Sequence, residues 1–187
     1  MATPTSLPAT FVAGNVLTAA EMNGLRGAFR ILQVVSTTKT DTFSASVAST
    51  SFSANVTGLE VSITPSSTSS KILIYAVVHA AQDGDYGYSE FRLMRDATAV
   101  AVGDLAGSRK QVTAVGGADI NDGNDQANMT GIFLDSPNTT SAITYGVQVH
   151  NRAGATRTLY VNRSSLDSNS GGLGRPVSTI MAMEVSA

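Results

Sequence analysis

The segment GLEVSITP, residues 58–65, alternates strictly: Leu59, Val61 and Ile63 fall on one side, Glu60, Ser62 and Thr64 on the other. A period of two reads as a strand with one buried face. The same signature, or a short apolar run, returns in ILQVVSTTKTDTFSAS, SVASTSFSANV, KILIYAVVHA, SEFRLMRD, AVAVGD, NMTGIFLDSP, AITYGVQVHNR, TRTLYVNRSS and STIMAMEVSA. KILIYAVVHA is apolar throughout, the mark of a strand buried on both faces or central in a sandwich. The run IMAMEV points to a buried C-terminal strand. Turn clusters at 65–70, 136–141, 151–155 and 165–176 separate the runs. Residues 103–128 hold many of the Gly, Asp and Asn residues and read as the least structured part. About nine short strands spaced roughly 10–15 residues apart make the chain mainly β, a β-sandwich or jelly-roll-like domain of about 8–10 strands.

The front end breaks this pattern. In TFVAGNVLTAAEMNGL, residues 10–25, Thr18-Ala-Ala-Glu21 fits a capping box, with Leu17 and Met22 in the staple positions. Met22, Leu25 and Phe29 then fall three and four apart, one narrow apolar stripe. The spacing predicts one short helix over about 18–29. Gly24 and Gly27 each weaken it by about 1 kcal/mol relative to Ala, and an isolated helix of this length is marginal in water. It therefore reads as a helix built to dock. The chain divides into an N-terminal anchor segment, 1–30, and a β-head, 31–187, with Phe11, Leu17, Thr18, Glu21, Met22, Leu25 and Phe29 as docking residues. The alternative is that the helix folds back and plugs an open end of its own sandwich.

Composition narrows the function classes. Net charge is −2, and no Lys/Arg cluster is longer than Arg109–Lys110, so a nucleic-acid footprint is missing. With no cysteine, a disulfide framework, a Cys-based metal site and a thiol nucleophile are excluded. The segment MATPTSLPAT lacks the basic and apolar regions of a secretory signal, and no apolar run approaches the roughly 18 residues of a membrane span. Neither nucleic acid nor membrane insertion is expected, and a location outside the cell would need a route other than a signal peptide. The Asn-x-Ser/Thr triplets at Asn55, Asn128, Asn138 and Asn162 read as by-products of a Ser/Thr/Asn-rich chain.

Chemistry-bearing motifs are sparse. His79 and His150 each end an apolar strand, and Asp83 or Asp85 lies near His79, but nothing in the spacing enforces a metal site. The segment DINDGND, 119–125, invites a calcium reading. Against the EF-hand pattern its glycine falls one place early, and Thr130 stands where the bidentate Glu is required. Asp119, Asn121 and Asp122 read instead as surface-loop residues. No G-x-S-x-G elbow, carboxylate pair around Glu90, or phosphate-cradling glycine motif is found. With no Trp, Tyr86 and Tyr88 beside Asp85 in DGDYGYS are the best saccharide-platform candidates. No cofactor, metal or catalytic residue is expected.

The segment FVAGNVLTAAEMN resembles the short N-terminal segment of bacteriophage virion proteins, especially tail-fibre and appendage subunits. The strings GLEVSITPSSTSSKILIYAVVHA, FRLMRD, IFLDSPNTTSAITYGVQV, TLYVNRS and STIMAMEVSA, in that order, resemble the small β-modules of phage fibres and spikes. The resemblance implies a homotrimeric jelly-roll-like head located in the virion, docked to other virion proteins through residues 1–30. It brings no active site. The expected function is a tail fibre or spike subunit that meets a host-surface glycan or protein through loops 82–90, 104–128, 150–156 and 164–175. The alternatives are a capsid decoration or cement protein whose helix clamps the shell, and a free carbohydrate-binding module.

Overall fold

A computed structural model describes residues 14, 16, 18, 19, 31–84, 88–117, 123–171 and 173–186. Residues 20–29 of the expected helix, and Phe11, Leu17, Glu21, Met22, Leu25 and Phe29, lie outside the described residues. Thr18 is described and exposed.

Among the described residues eleven strands run in chain order: β1 (Ile31–Lys39), β2 (Phe43–Val47), β3 (Glu60–Ile63), β4 (Lys71–Gln82), β5 (Tyr88–Arg95), β6 (Thr98–Val100), β7 (Ala114–Gly117), β8 (Ala127–Asp135), β9 (Ile143–His150), β10 (Arg157–Val161) and β11 (Ser178–Val185). They form two antiparallel sheets packed as a sandwich. The six-stranded sheet runs β1-β11-β4-β10-β2, with β8 on the other side of β4, and the five-stranded sheet runs β3-β9-β5-β6, with β7 also on β5. Every consecutive step from β2 to β4 and from β7 to β9 crosses between the sheets, so long-range pairing dominates.

β4 organises the larger sheet. Residues 71–77 pair with β11, residues 80–82 pair with β10 along the same edge, and residues 72–80 pair with β8 along the other. At the handover, neighbouring side chains and backbone satisfy the polar groups of His79. Its N–H donates to Ser178 Oγ at 3.0 Å, and its carbonyl accepts from the Asn162 N–H at 3.0 Å. Asn162 sits at φ +62°, fully buried. Its amide donates to the Lys39 and Asp41 carbonyls, and its Oδ1 accepts from Ser178 Oγ at 2.6 Å. Backbone groups that burial would otherwise strand are thereby paired. The triplet at Asn162 is a buried structural knot rather than a surface acceptor.

The core lies between the sheets. Ile72, Ile74 and Val78 of β4 face Phe91 and Leu93 of β5 and Val147 of β9, all buried. Each such side chain contributes about 1.5–3 kcal/mol.

Two expectations need correction and one alternative is decided. The described residues form eleven strands rather than about 8–10, because ILQVVSTTKTDTFSAS is two strands, β1 and β2, and the four-residue β7 is too short to print a period, while SVASTSFSANV contributes only the Phe52–His150 bridge beyond β2. β7 lies inside the stretch read as least structured, where its glycines hide a strand that pairs with β5. KILIYAVVHA is central but not covered on both faces by described residues. Alternate residues from Ile72 to Ala80 are buried, whereas Leu73 and Val77 are half-buried and Tyr75 is exposed.

Candidate binding surfaces

The two outer faces differ in chemistry. On the smaller sheet the outward side chains are polar and bonded to one another. Asn55 Nδ2 donates to Glu60 Oε1, Gln148 Nε2 donates to Asn55 Oδ1, and Arg92 donates through Nε (2.9 Å) and Nη2 (2.7 Å) to Gln148 Oε1. Next along the face, His150 Nδ1 lies 2.7 Å from Glu90 Oε2, and Arg152 Nε lies 3.0 Å from Glu90 Oε1. The Phe52 ring packs against the His150 ring, while the Arg92 guanidinium stacks over Phe52 with Cζ 3.7 Å from its centroid. Burial pushes the Arg92 guanidinium below its ordinary value.

The 101–112 loop folds over this network. Gln111 Nε2 donates to the Gly103 carbonyl, and the Gly103 N–H donates to the Val112 carbonyl, closing the loop on itself. Between loop and sheet lies a groove of about 520 Å³, walled by Phe52, Arg92, Val102, Leu105, Arg109 and Lys110 among others. Arg109 and Lys110 are exposed and have no acidic partner among the described residues.

The 164–175 loop has different electrostatics. Its pocket of about 390 Å³ holds Asp167 and Arg175. Asp167 accepts from Arg175 and has Arg163 nearby, and the Arg175 hydrogen bond is the main cause of its lowered pKa. Its charges are matched internally. This loop also meets residue 123 and its neighbours: Leu166 N–H and Ser165 Oγ both donate to the Gly123 carbonyl, and Gln126 Nε2 donates to the Gly174 carbonyl. Two of the expected contact loops, 104–128 and 164–175, thus converge in part. In the 150–156 loop, buried Asn151 donates to the Val47, Ala48 and Ala155 carbonyls and accepts from the Ala153 N–H, a rigid corner.

Asp85, Tyr86, Asp119, Asn121 and Asp122 lie outside the described residues. Tyr88 opens β5, its backbone opposite Gly117. The two histidines sit on different sheets. His79 Nδ1 is 2.9 Å from the Val177 carbonyl and Nε2 is 3.1 Å from Asn128 Nδ2, so a donor–acceptor arrangement uses both nitrogens. Among the described residues, no three His, Asp or Glu side chains gather as a metal site would require.

The centre of the outer face of the larger sheet is apolar, flanked by Ser36 and by the row Thr38, Thr179, Val77 and Thr130. The β1/β11/β4/β8 registers put Val34, Met183, Leu73 and Leu134 in one row and Met181, Tyr75 and Ile132 in the next. Val34 is 53 % exposed, Leu134 52 % and Ile132 64 %. Lys71 and His79 bound the face along β4. The sequence signal for this face was present in KILIYAVVHA, which is apolar at both parities. Arg109–Lys110 was also visible, but only the topology brings it beside Phe52 and Arg92.

No protein-family model matches the chain, and no curated protein matches it. Among solved structures, the infectious bursal disease virus VP2 subviral particle is similar at 14 % identity with a TM-score of 0.34, covering 82 % of this chain. The chain spans 39 % of the length of that one. A likeness this distant carries no weight for fold or function.

Proposed function

We propose that the chain is a non-enzymatic structural protein of a bacteriophage particle, a homotrimeric tail-fibre or spike subunit. In this reading residues 1–30 fasten it to other virion proteins and the β-head faces the host surface. The observation that carries the assembly reading is the apolar centre of the outer face of the β1-β11-β4-β8 sheet. Its two apolar rows, on four strands about 4.8 Å apart over about four residues at roughly 3.3 Å each, give a patch of about 200–250 Å². Exposed apolar patches with a polar surround are often functional. Charges lie at its margins, so its partner is itself apolar, and a second copy of this chain supplies such a face. The patch is about a quarter of the roughly 800 Å² that each partner buries in a stable interface, and the polar surround provides the remainder.

Connectivity adds a fold-level analogy. β1-β11-β4-β8 over β3-β9-β5-β7, with β2, β6 and β10 as additions, supports a jelly-roll reading, an architecture found in viral capsid and lectin domains. Such an order constrains architecture and leaves function to the surfaces. The runner-up, a capsid decoration protein, uses the same face and the same anchor. Gold-labelled antibody against residues 31–187, applied to phage particles containing the protein, separates the two. Label at the tail supports the fibre or spike, label over the shell makes it a decoration protein, and unlabelled particles overturn both.

A further inference from the structure

We propose that the groove between the 101–112 loop and β5 binds an anionic saccharide, its carboxylate or sulfate held by Arg92, Arg109 and Lys110. This deepens the host-surface part of the reading above and rests on it only for biological context, because binding is a property of the free chain.

Three observations converge. First, the groove concentrates unmatched positive charge in a chain whose net charge is −2. Lys39, Arg95, Arg152, Arg163 and Arg175 all have carboxylate partners, whereas Arg109 and Lys110 have none among the described residues. Second, Arg92 is preorganised. Gln148 holds its Nε and Nη2 and Phe52 supports its plane, while no bond is assigned to Nη1. A half-buried guanidinium with donors to spare favours a planar or tetrahedral oxyanion. Third, Ala99, Val102 and Leu105 give the groove an apolar wall, and Ser108 and Gln111 give it hydrogen-bonding groups. That mixture suits a sugar ring, with its C–H face on the wall and its hydroxyls on the polar groups.

The volume of about 520 Å³ falls within the ordinary range of small-ligand sites. Arg92 covers the Phe52 ring, so no free aromatic platform remains for a neutral sugar, and the charge must carry the affinity. Three cations fall short of the extended basic track that a nucleic-acid backbone uses.

The test is titration calorimetry of the purified full chain with four probes at low salt: a trigalacturonate, a sulfated disaccharide, a neutral galactose trimer and a short oligothymidylate. The expected result is binding of one or both acidic sugars, weakening as salt rises, and no heat from the neutral trimer. The two acidic arms identify which anion is preferred. Arg109→Ala with Lys110→Ala should weaken binding by at least about tenfold with the thermal midpoint unchanged, while Arg175→Ala should leave binding intact. No binding of either acidic sugar, equal binding of the neutral trimer, or tighter binding of the oligothymidylate would each overturn the proposal. Since these probes test the groove alone, failure here leaves the oligomeric mass and the particle labelling unaffected.

Discussion

Glu184 shows how much a single residue contributes when its surroundings are built for it. It is 1 % exposed on the inward side of β11, where a carboxylate is ordinarily costly. Burial alone pushes its pKa up. Hydrogen bonds from Ser66, Ser70 and Gln33 outweigh that effect and hold it at about 2, below the ordinary 4.5. Gln33 Nε2, the Ser66 N–H and Ser66 Oγ donate at 2.7, 2.7 and 2.6 Å. A folded-state pKa below the unfolded value stabilises above the unfolded pKa, and that stability is lost as pH falls. Glu184 should therefore contribute about 3 kcal/mol near neutrality, lost between about pH 4.5 and pH 2. Denaturant midpoints measured down this range should fall more steeply for the wild type than for Glu184→Gln; parallel curves would refute the assignment. Asp135 is a second such centre. It accepts from Tyr145 Oη at 2.6 Å, from Arg95 Nη1 at 2.8 and 2.9 Å, and from the Ser136 N–H. Burial, then the Asp135 hydrogen bond, pushes the Tyr145 hydroxyl up, so it stays a donor. Tyr145→Phe should cost about 1–2 kcal/mol, and Asp135→Ala about 3–5 kcal/mol because Arg95 loses its carboxylate. Chemical denaturation of both variants checks the order, and equal losses would contradict it.

At the scale of elements, the strands with a clean period were legible and β7 was not. GLEVSITP and STIMAMEVSA became β3 and β11 because their inward residues repeat at every second position. β7 escaped because AVGG offers almost no side chain, and the structure explains the glycine. A Cβ on Gly116 would lie 2.6 Å from the Asn128 carbonyl oxygen and 2.5 Å from Met129 Cγ. Only glycine lets β7, in one sheet, come this close to β8, in the other. Gly116→Ala should lower stability by about 1–3 kcal/mol, read as a fall in thermal midpoint; an unchanged midpoint would show that the two strands can part freely. The site was less legible than the fold. The Phe52, Arg92 and Arg109–Lys110 constellation joins residues far apart in sequence, and only the pairing of β5 with β6 and β9 brings them to one face. The residues expected to bind in DGDYGYS and DINDGND were chosen on loop chemistry alone, which says nothing about neighbours.

Across the whole molecule, the asymmetry between the two outer faces is the central feature. One face is a closed polar network beside a basic groove; the other has an apolar centre that no described residue covers. A strand apolar at both parities, as β4 is, signals two buried faces only if something beyond the described sandwich completes the burial. In the proposed assembly, further copies of the chain take that role. Sedimentation equilibrium of the full chain, beside the Ile132→Asp/Leu134→Asp variant, tests this most directly. Both side chains point outward, so the variant should fold with its β-sheet circular dichroism intact. A homotrimer gives a wild-type mass three times the 19.3 kDa of the chain, and the variant should be monomeric. A monomeric wild type, or a variant that keeps the wild-type mass, would contradict it.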